Sequence, residues 1–322
     1  MNRIGILATW HPRCGPWHYA EELRLMGHEV VKIGPYDAGV PFGTRGREPD
    51  VLLPQAYPPH YRPGPLLGDF DQFWIIEGGE DIRVLDLPDK MPLVHVSTEG
   101  THLEWTKGRT PHRYAEIMCN VTDPEGVTWL PKCFSEWEYS TGAYPRTSTE
   151  REYDLVQLAS ARAARVHVWN EVKRIAPDLN CVFGDQWGPL YYATYENALA
   201  TFVCHTHDFV TTRVFEAMAA GCVVFSDPTP SMLKLFEPGK HFVPFEAVWH
   251  AESGEGYPDP EWLAAEVREM RKNRNHEMIA GAASRLVWGR DSMKHRVETV
   301  LTRLDGWKRF HSCERTYPED RA

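Results

Sequence analysis

Short apolar runs alternate with stretches of helical periodicity along most of the chain. Residues 3–9 (RIGILAT) are almost unbroken in apolar character, as expected of a strand buried on both faces. A helical pattern follows over 18–26 and is stopped by Gly27, and HEVVKIG (28–34) reads as a second strand. QFWIIEGG (72–79), PLVHVST (92–98), AEIMCNVT (115–122) and VTWLP (127–131) continue the series. Residues 37–68 are rich in Pro and Gly and carry Arg45, Arg47 and Arg62, which predicts a long surface excursion. The second half repeats the alternation. YDLVQLAS (153–160) is a strand, a helix runs on to Ile175, and LNCVFG (179–184) is a strand. YYATYENALATFVCHTH (191–207) is a helix and then a strand, and residues 261–304 are helical with acids and bases interspersed. Alternation of this kind predicts parallel sheets with crossover helices, an α/β fold.

Residues 135–152 are polar, lack apolar periodicity and predict a linker. They separate an N-terminal Rossmann-like domain over 1–140 from a C-terminal one over 153–304, and 322 residues suit two domains. Where two doubly wound domains face each other, ligands bind in a cleft at the carboxyl ends of the strands, so the loops after each strand are the candidates.

Composition narrows the classes. The formal net charge is −10 and both halves are acidic, so neither carries the basic footprint of a general nucleic-acid binder. Seven cysteines, an odd number without a C-x-x-C spacing, signal neither a disulfide framework nor a structural zinc site. No apolar run approaches the length that spans a bilayer, and no leader precedes the first strand; a soluble, cytoplasmic protein is expected.

The richest stretch is HDFVTTRVFEAMAAGCVVFSDPTPSMLKLFEPGKHFVPFE, residues 207–246. Asp208 and Glu216 stand eight positions apart, a little over two helical turns, so they lie near one face. Thr211 and Thr212 are natural helix starts and Gly221 a natural stop. Free N–H groups at such a start form an anion site, and a carboxylate further down can accept hydrogen bonds from sugar hydroxyls. The combination suits a nucleotide diphosphate carrying a ribose and a sugar.

This stretch resembles the donor-binding segment of GT-B glycosyltransferases of the group 1 type, and the run Arg213 to Ala217 resembles the CgeB-like spore-maturation branch in particular. The resemblance covers residues 153–304 well and the N-terminal half weakly. In that superfamily an acidic residue, seven others and then Glu-Ala precede a small-residue run and a glycine; here Asp208 stands where the common form has Glu. The resemblance implies two Rossmann-like domains facing across a cleft, with the tail 305–322 returning toward the first. It implies a hexosyltransferase that moves a sugar from a nucleotide-sugar donor to an acceptor hydroxyl, retaining and metal-independent, with no cofactor beyond the donor. Thr211, Thr212 and Arg213 would hold the donor phosphate and Glu216 the ribose. A Ser near the end of the first strand of the second domain precedes an Arg in the same pattern. Ser160 and Arg165 (or Arg162) match it, the Arg neutralising the diphosphate.

Other loops add candidates. Gly184, Gln186 and Trp187 end a strand near the expected base, where Gly permits close approach and Trp offers a stacking face. His205, His207 and Asp208 suggest a metal cluster, but no further ligands are marked by spacing, and a hydrogen-bonding role at the cleft mouth is expected instead. Asp69-Phe70-Asp71 is a D-x-D that precedes its strand and reads as a surface turn. In the first domain, Gly15 lies in the first strand-to-helix loop beside Cys14 and His18, and EGGED (77–81) is another cleft loop. The loop after PLVHVS offers Glu99 and His102 to orient or deprotonate an acceptor hydroxyl. The acceptor is open. One alternative is a hydroxylated base in DNA, gripped by the Arg45, Arg47, Arg62 and Lys107, Arg109, Arg113 loops; another is a nucleotide-sugar binding protein without catalysis.

Overall fold

The computed structural model describes residues 1–8, 10, 15–34, 51–52, 70–76, 91–97, 116–120, 127–139, 151–184, 186, 189–205, 208, 210–250, 256–273 and 275–313. The chain divides into two compact units, Met1–Pro131 with Met293–Ala322, and Lys132–Ser292.

The first unit is built on a seven-stranded, all-parallel sheet of order β3-β2-β1-β4-β5-β6-β7. Its strands are β1 (Arg3–Leu7), β2 (Glu29–Gly34), β3 (Val51–Leu52), β4 (Gln72–Ile76), β5 (Leu93–Ser97), β6 (Glu116–Cys119) and β7 (Thr128–Trp129). Every residue of β4 and β5 is buried, as the continuous apolar runs require of inner strands of a parallel sheet. Ile4, Ile6, Phe73, Trp74 and Ile75 form the heart of this core. Helix α1 spans Gly15–Leu25, beginning before the helical periodicity of the sequence does. Asp71, from the D-x-D, is exposed, and its Oδ2 accepts a hydrogen bond from the Arg3 backbone N–H at 2.7 Å, which anchors the start of β1.

The second unit carries a five-stranded parallel sheet of order β12-β11-β10-β8-β9. In chain order, β8 (Tyr153–Leu158) leads to helix α2 (Ala163–Ile175), β9 (Cys181–Gly184) to α3 (Pro189–Glu196), and β10 (Ala198–Val203) to α4 (Thr212–Ala219). Then β11 (Val223–Ser226) leads to α5 (Pro230–Leu235) and β12 (Val243–Pro244). A small antiparallel ribbon, β13 (Val248–Trp249) with β14 (Gly256–Tyr257), precedes α6 (Pro260–Lys272) and α7 (Asn275–Arg290). Leu155, Val168, Val172, Phe202, Phe225 and Leu263 interlock between sheet and helices. Within the sheet, Gln157 ties strand to helix: its Nε2 donates to Phe202 O at 3.1 Å and its Oε1 accepts from Trp169 Nε1 at 2.5 Å.

Two boundaries differ from the sequence expectation. Residues 132–139, part of which reads as linker, pack into the second unit: Phe134 and Tyr139 are buried, and Phe134 N–H donates to Asp291 O. Polarity around them hides two aromatic anchors. The helical region 261–304 is interrupted at Asn273 and at 291–292, and the chain rejoins the first unit at α8 (Met293–Cys313), not at 305. Helix α8 packs on α1, and Arg296 Nε donates to Pro131 O at 2.7 Å.

Candidate functional site

In the second sheet β8 is flanked by β9 on one side and β10 on the other, so strand order reverses beside it. The carboxyl ends of β8 and β10 therefore border the switch-point crevice, and residues 159–162, 204–205, 208 and 210–211 follow those ends.

The segment after β10 ends at Thr211, the N-cap of α4, in extended conformation (φ −71°, ψ 153°). Thr211 O accepts from Val214 N–H at 3.1 Å, but its hydroxyl makes no capping bond, and Oγ1 is buried with no hydrogen-bond partner among the described residues. The backbone N–H groups of Thr212 and Arg213 likewise carry no hydrogen bond among the described residues. A first turn with unclaimed donors is the arrangement that receives an anion. The far end of α4 closes as a Schellman motif. Gly221 adopts φ +74°, its N–H donates to Met218 O, and Cys222 N–H donates to Ala217 O, both at 2.9 Å.

Glu216 lies one turn in from that start and is 9% exposed. Two tyrosines from separate segments hold it. The Tyr191 hydroxyl on α3 donates to Glu216 Oε2 at 2.5 Å, and the Tyr139 hydroxyl donates to the Glu216 carbonyl at 2.8 Å. Tyr191 stands edge-on to Tyr192 and Tyr195 (centroids 5.1 and 5.0 Å apart), and Tyr192 stands edge-on to Tyr139 at 5.3 Å, so the rings close a belt around the carboxylate. Burial pushes the Glu216 carboxyl up to about 7, against the Tyr191 hydrogen bond and the Arg213 charge, which pull it down. Tyr139 and Tyr191 are themselves pushed well above the ordinary phenol range, first by burial and then by the Glu216 charge.

The remaining candidates take varied places. Asp208 is exposed, and its Oδ1 accepts from the Ser231 backbone N–H at 2.8 Å while Ser231 Oγ donates to Asp208 O at 3.0 Å, so it is tied to the start of α5. Arg213 is half-buried and makes no hydrogen bond or ion pair among the described residues. Ser160 is exposed just past β8, and Arg165 is buried beneath it, its Nη1 donating to Ser160 O at 3.1 Å. Arg165 thus braces the segment where the sequence placed it against phosphate. Gly184 has φ +140°, a conformation that favours glycine, and the space where a Cβ would project is open. Gln186 Oε1 lies 2.8 Å from the Thr194 hydroxyl, which ties it to α3. Gly15 opens α1 in the first unit. Glu99, His102, Trp187 and His207 lie outside the described residues, as do the basic loop residues and all of 77–81 and 98–115.

His205 departs from the metal reading. Its Nδ1 lies 2.8 Å from Asp227 Oδ1, which also accepts from the His205 backbone N–H at 3.1 Å, and its side chain is fully buried. Among the described residues no cluster of three His, Cys, Asp or Glu side chains is arranged to hold a metal. The sequence reading missed Tyr139, Tyr191, Asp227 and Arg151; only the Tyr191-Tyr192 pair at the head of α3 carried a visible signal. Arg151 binds carbonyls at two helix ends, Nη1 donating to Tyr195 O and Ala198 O and Nη2 to Ala220 O at 3.0 Å.

Residues 151–302 match the model of a family described as glycosyl transferase-like. No curated protein matches the chain in sequence. Among solved structures, it is similar to an alpha-glucosyltransferase in complex with UDP-glucose and DNA containing an abasic site, at 11% identity and TM-score 0.66, covering 94% of this chain and 99% of that one. It is also similar to Anabaena HepE in complex with UDP and glucose (13% identity, TM-score 0.62, 95% and 100% covered). A third is the sucrose-phosphate synthase of Thermosynechococcus elongatus (13%, 0.59, 97% and 100%). The fold is GT-B.

Proposed function

We propose that the second unit binds a nucleotide-diphosphate sugar and that the enzyme transfers its glycosyl group to an acceptor hydroxyl with retention and without a metal ion. The observation that carries this is the buried Glu216 one turn below the unclaimed N–H groups of Thr212 and Arg213. In this reading the diphosphate sits at the α4 N-terminus, the ribose hydroxyls donate to Glu216, and Arg213 with the segment held by Arg165 supplies positive charge. Gly184, Gln186 and Trp187 border the base.

In the transfer, the bond from the anomeric carbon to the diphosphate oxygen breaks with its electron pair going to the diphosphate. The acceptor oxygen bonds to the anomeric carbon, and the acceptor proton passes to the departing phosphate oxygen or to a base, for which Glu99 and His102 are the candidates. Negative charge grows on the leaving group as the bond breaks, so donors fixed at its oxygen favour the transition state over the bound donor. Asp208, whose Oδ1 is held by the Ser231 N–H, would offer its second carboxylate oxygen to the sugar.

The similar structures contain UDP-glucose or UDP with glucose, which makes UDP-glucose the first donor to test. A thermal-shift panel of nucleotide sugars should show stabilisation by one base and one sugar, and mass spectrometry should show donor hydrolysis that persists in EDTA. Lack of stabilisation by any nucleotide sugar would remove the proposal. Binding without hydrolysis or transfer would leave a binding protein. The acceptor panel should include hydroxymethylated DNA, because one similar structure contains DNA; DNA binding that falls steeply with salt would support that acceptor.

A further inference from the structure

We infer that Tyr191 is the positioning residue of the donor site: its hydroxyl holds Oε2 of Glu216 and so presents Oε1 as the oxygen that accepts from the ribose. This rests on the donor-site reading above. The hydroxyl lies 2.5 Å from Oε2, and Oε1 has no hydrogen bond among the described residues. The Tyr191 ring is clamped edge-on by Tyr192 and Tyr195, so the phenol is not free to swing away. On the other side, Tyr139 fixes the backbone of Glu216 itself through its carbonyl. A carboxylate with one oxygen tied and its backbone pinned loses little freedom on binding, which is how a supporting residue sharpens a ligand contact.

Burial raises the Glu216 carboxyl, and the same contact opposes that rise. Facing it are Tyr191 and Tyr195 from α3, Lys132, Glu138 and Tyr139 from the segment before the sheet, and Arg213 on its own helix. From α7, packed on the other side of α4, the groups that reach the helix are Ser284 and Trp288, which bind Ala219 O. A protonated Glu216 has lost its charge as an acceptor, so donor affinity should fall on the acid side of its titration. The Tyr191 hydrogen bond favours the ionised form and keeps that fall at lower pH.

The test is Tyr191→Phe, which keeps the ring and removes the hydroxyl. Hydrogen bonds to charged groups are strong enough that donor Kd for UDP-glucose should rise about tenfold, with kcat within about twofold. The acid limb of donor affinity should move upward by about one pH unit. Infrared titration of the Glu216 carboxyl, identified by its loss in Glu216→Gln, reads the same shift without any donor. An unchanged limb and carboxyl titration in Tyr191→Phe, with Glu216→Gln still binding donor poorly, would overturn the positioning role alone. Wild-type donor affinity in Glu216→Gln would remove the ribose contact and the inference with it.

Discussion

Asp208 accepts a hydrogen bond at 2.8 Å from the backbone N–H of Ser231, and the Ser231 hydroxyl returns one to the Asp208 carbonyl. The first acid of the motif therefore fastens the segment before α4 to the first turn of α5. Loss of a side-chain acceptor at a helix start costs about 1 kcal/mol, so Asp208→Ala should lower unfolding stability by that amount. Asp208→Asn keeps an acceptor oxygen and should unfold like wild type. If the second carboxylate oxygen serves the sugar, Asp208→Asn should still lose turnover. Denaturant unfolding and donor hydrolysis, measured side by side, separate the two.

Glu216 should make the donor-free protein pay in stability for its ligand. Its carboxyl titrates near 7 in the folded chain, above the ordinary value of 4.5. The folded state therefore holds the proton more tightly than the unfolded one. The stability that this provides is complete below the unfolded value and is lost as pH rises through the folded one, about 3 kcal/mol across the window as an upper figure. Glu216→Gln stays neutral throughout. It should raise Tm relative to wild type at about pH 8 and have little effect at about pH 4, while weakening donor binding at about pH 8 and changing it little at about pH 4, where the wild-type carboxyl is already neutral. A Tm difference that does not vary with pH would contradict the assignment of the shifted group.

Arg213 is half-buried at the head of α4 without an ion-pair partner among the described residues. If it faces the departing diphosphate, Arg213→Ala should reduce kcat roughly a hundredfold, the scale set by removal of a single donor at a developing oxyanion. Arg213→Lys should recover part of that, since it keeps the charge but not the fork. Loss of stability with unchanged kcat would mark it as a support for the helix.

Arg151 reaches three carbonyls at the ends of α3, β10 and α4, and its Nη1 lies 3.9 Å from Cys222 Sγ. Removing it leaves several carbonyls without a charged donor near two helix C-termini. Arg151→Ala should cost about 3 kcal/mol, measured by denaturant unfolding, and Arg151→Lys about half of that.

The parallel α/β architecture was legible because inner strands such as 72–76 and 93–97 carry side chains buried on both faces and so read as continuous apolar runs. The α4 segment was legible because its cap, its stop glycine and its acid spacing each have a local cause. The tyrosine belt was not. Tyr139 sits among Ser, Glu and Thr in a stretch that looks like linker, and only the fold brings it to Glu216, 77 positions away. Arg165 lies on the helix after β8, where its spacing puts it, but spacing does not reveal that its side chain turns back onto the Ser160 carbonyl. Pairs such as His205 with Asp227 arise from strand order, which lies beyond any local pattern.

The first unit is assembled from two separate lengths of chain, with the whole of Lys132–Ser292 interposed. During synthesis the opening sheet must wait, its α1 surface uncovered, until the segment beginning at Met293 leaves the ribosome, whereas the interposed unit already has all its parts. Nascent chains arrested just past 292 should therefore present a protease-resistant interior beside a vulnerable beginning.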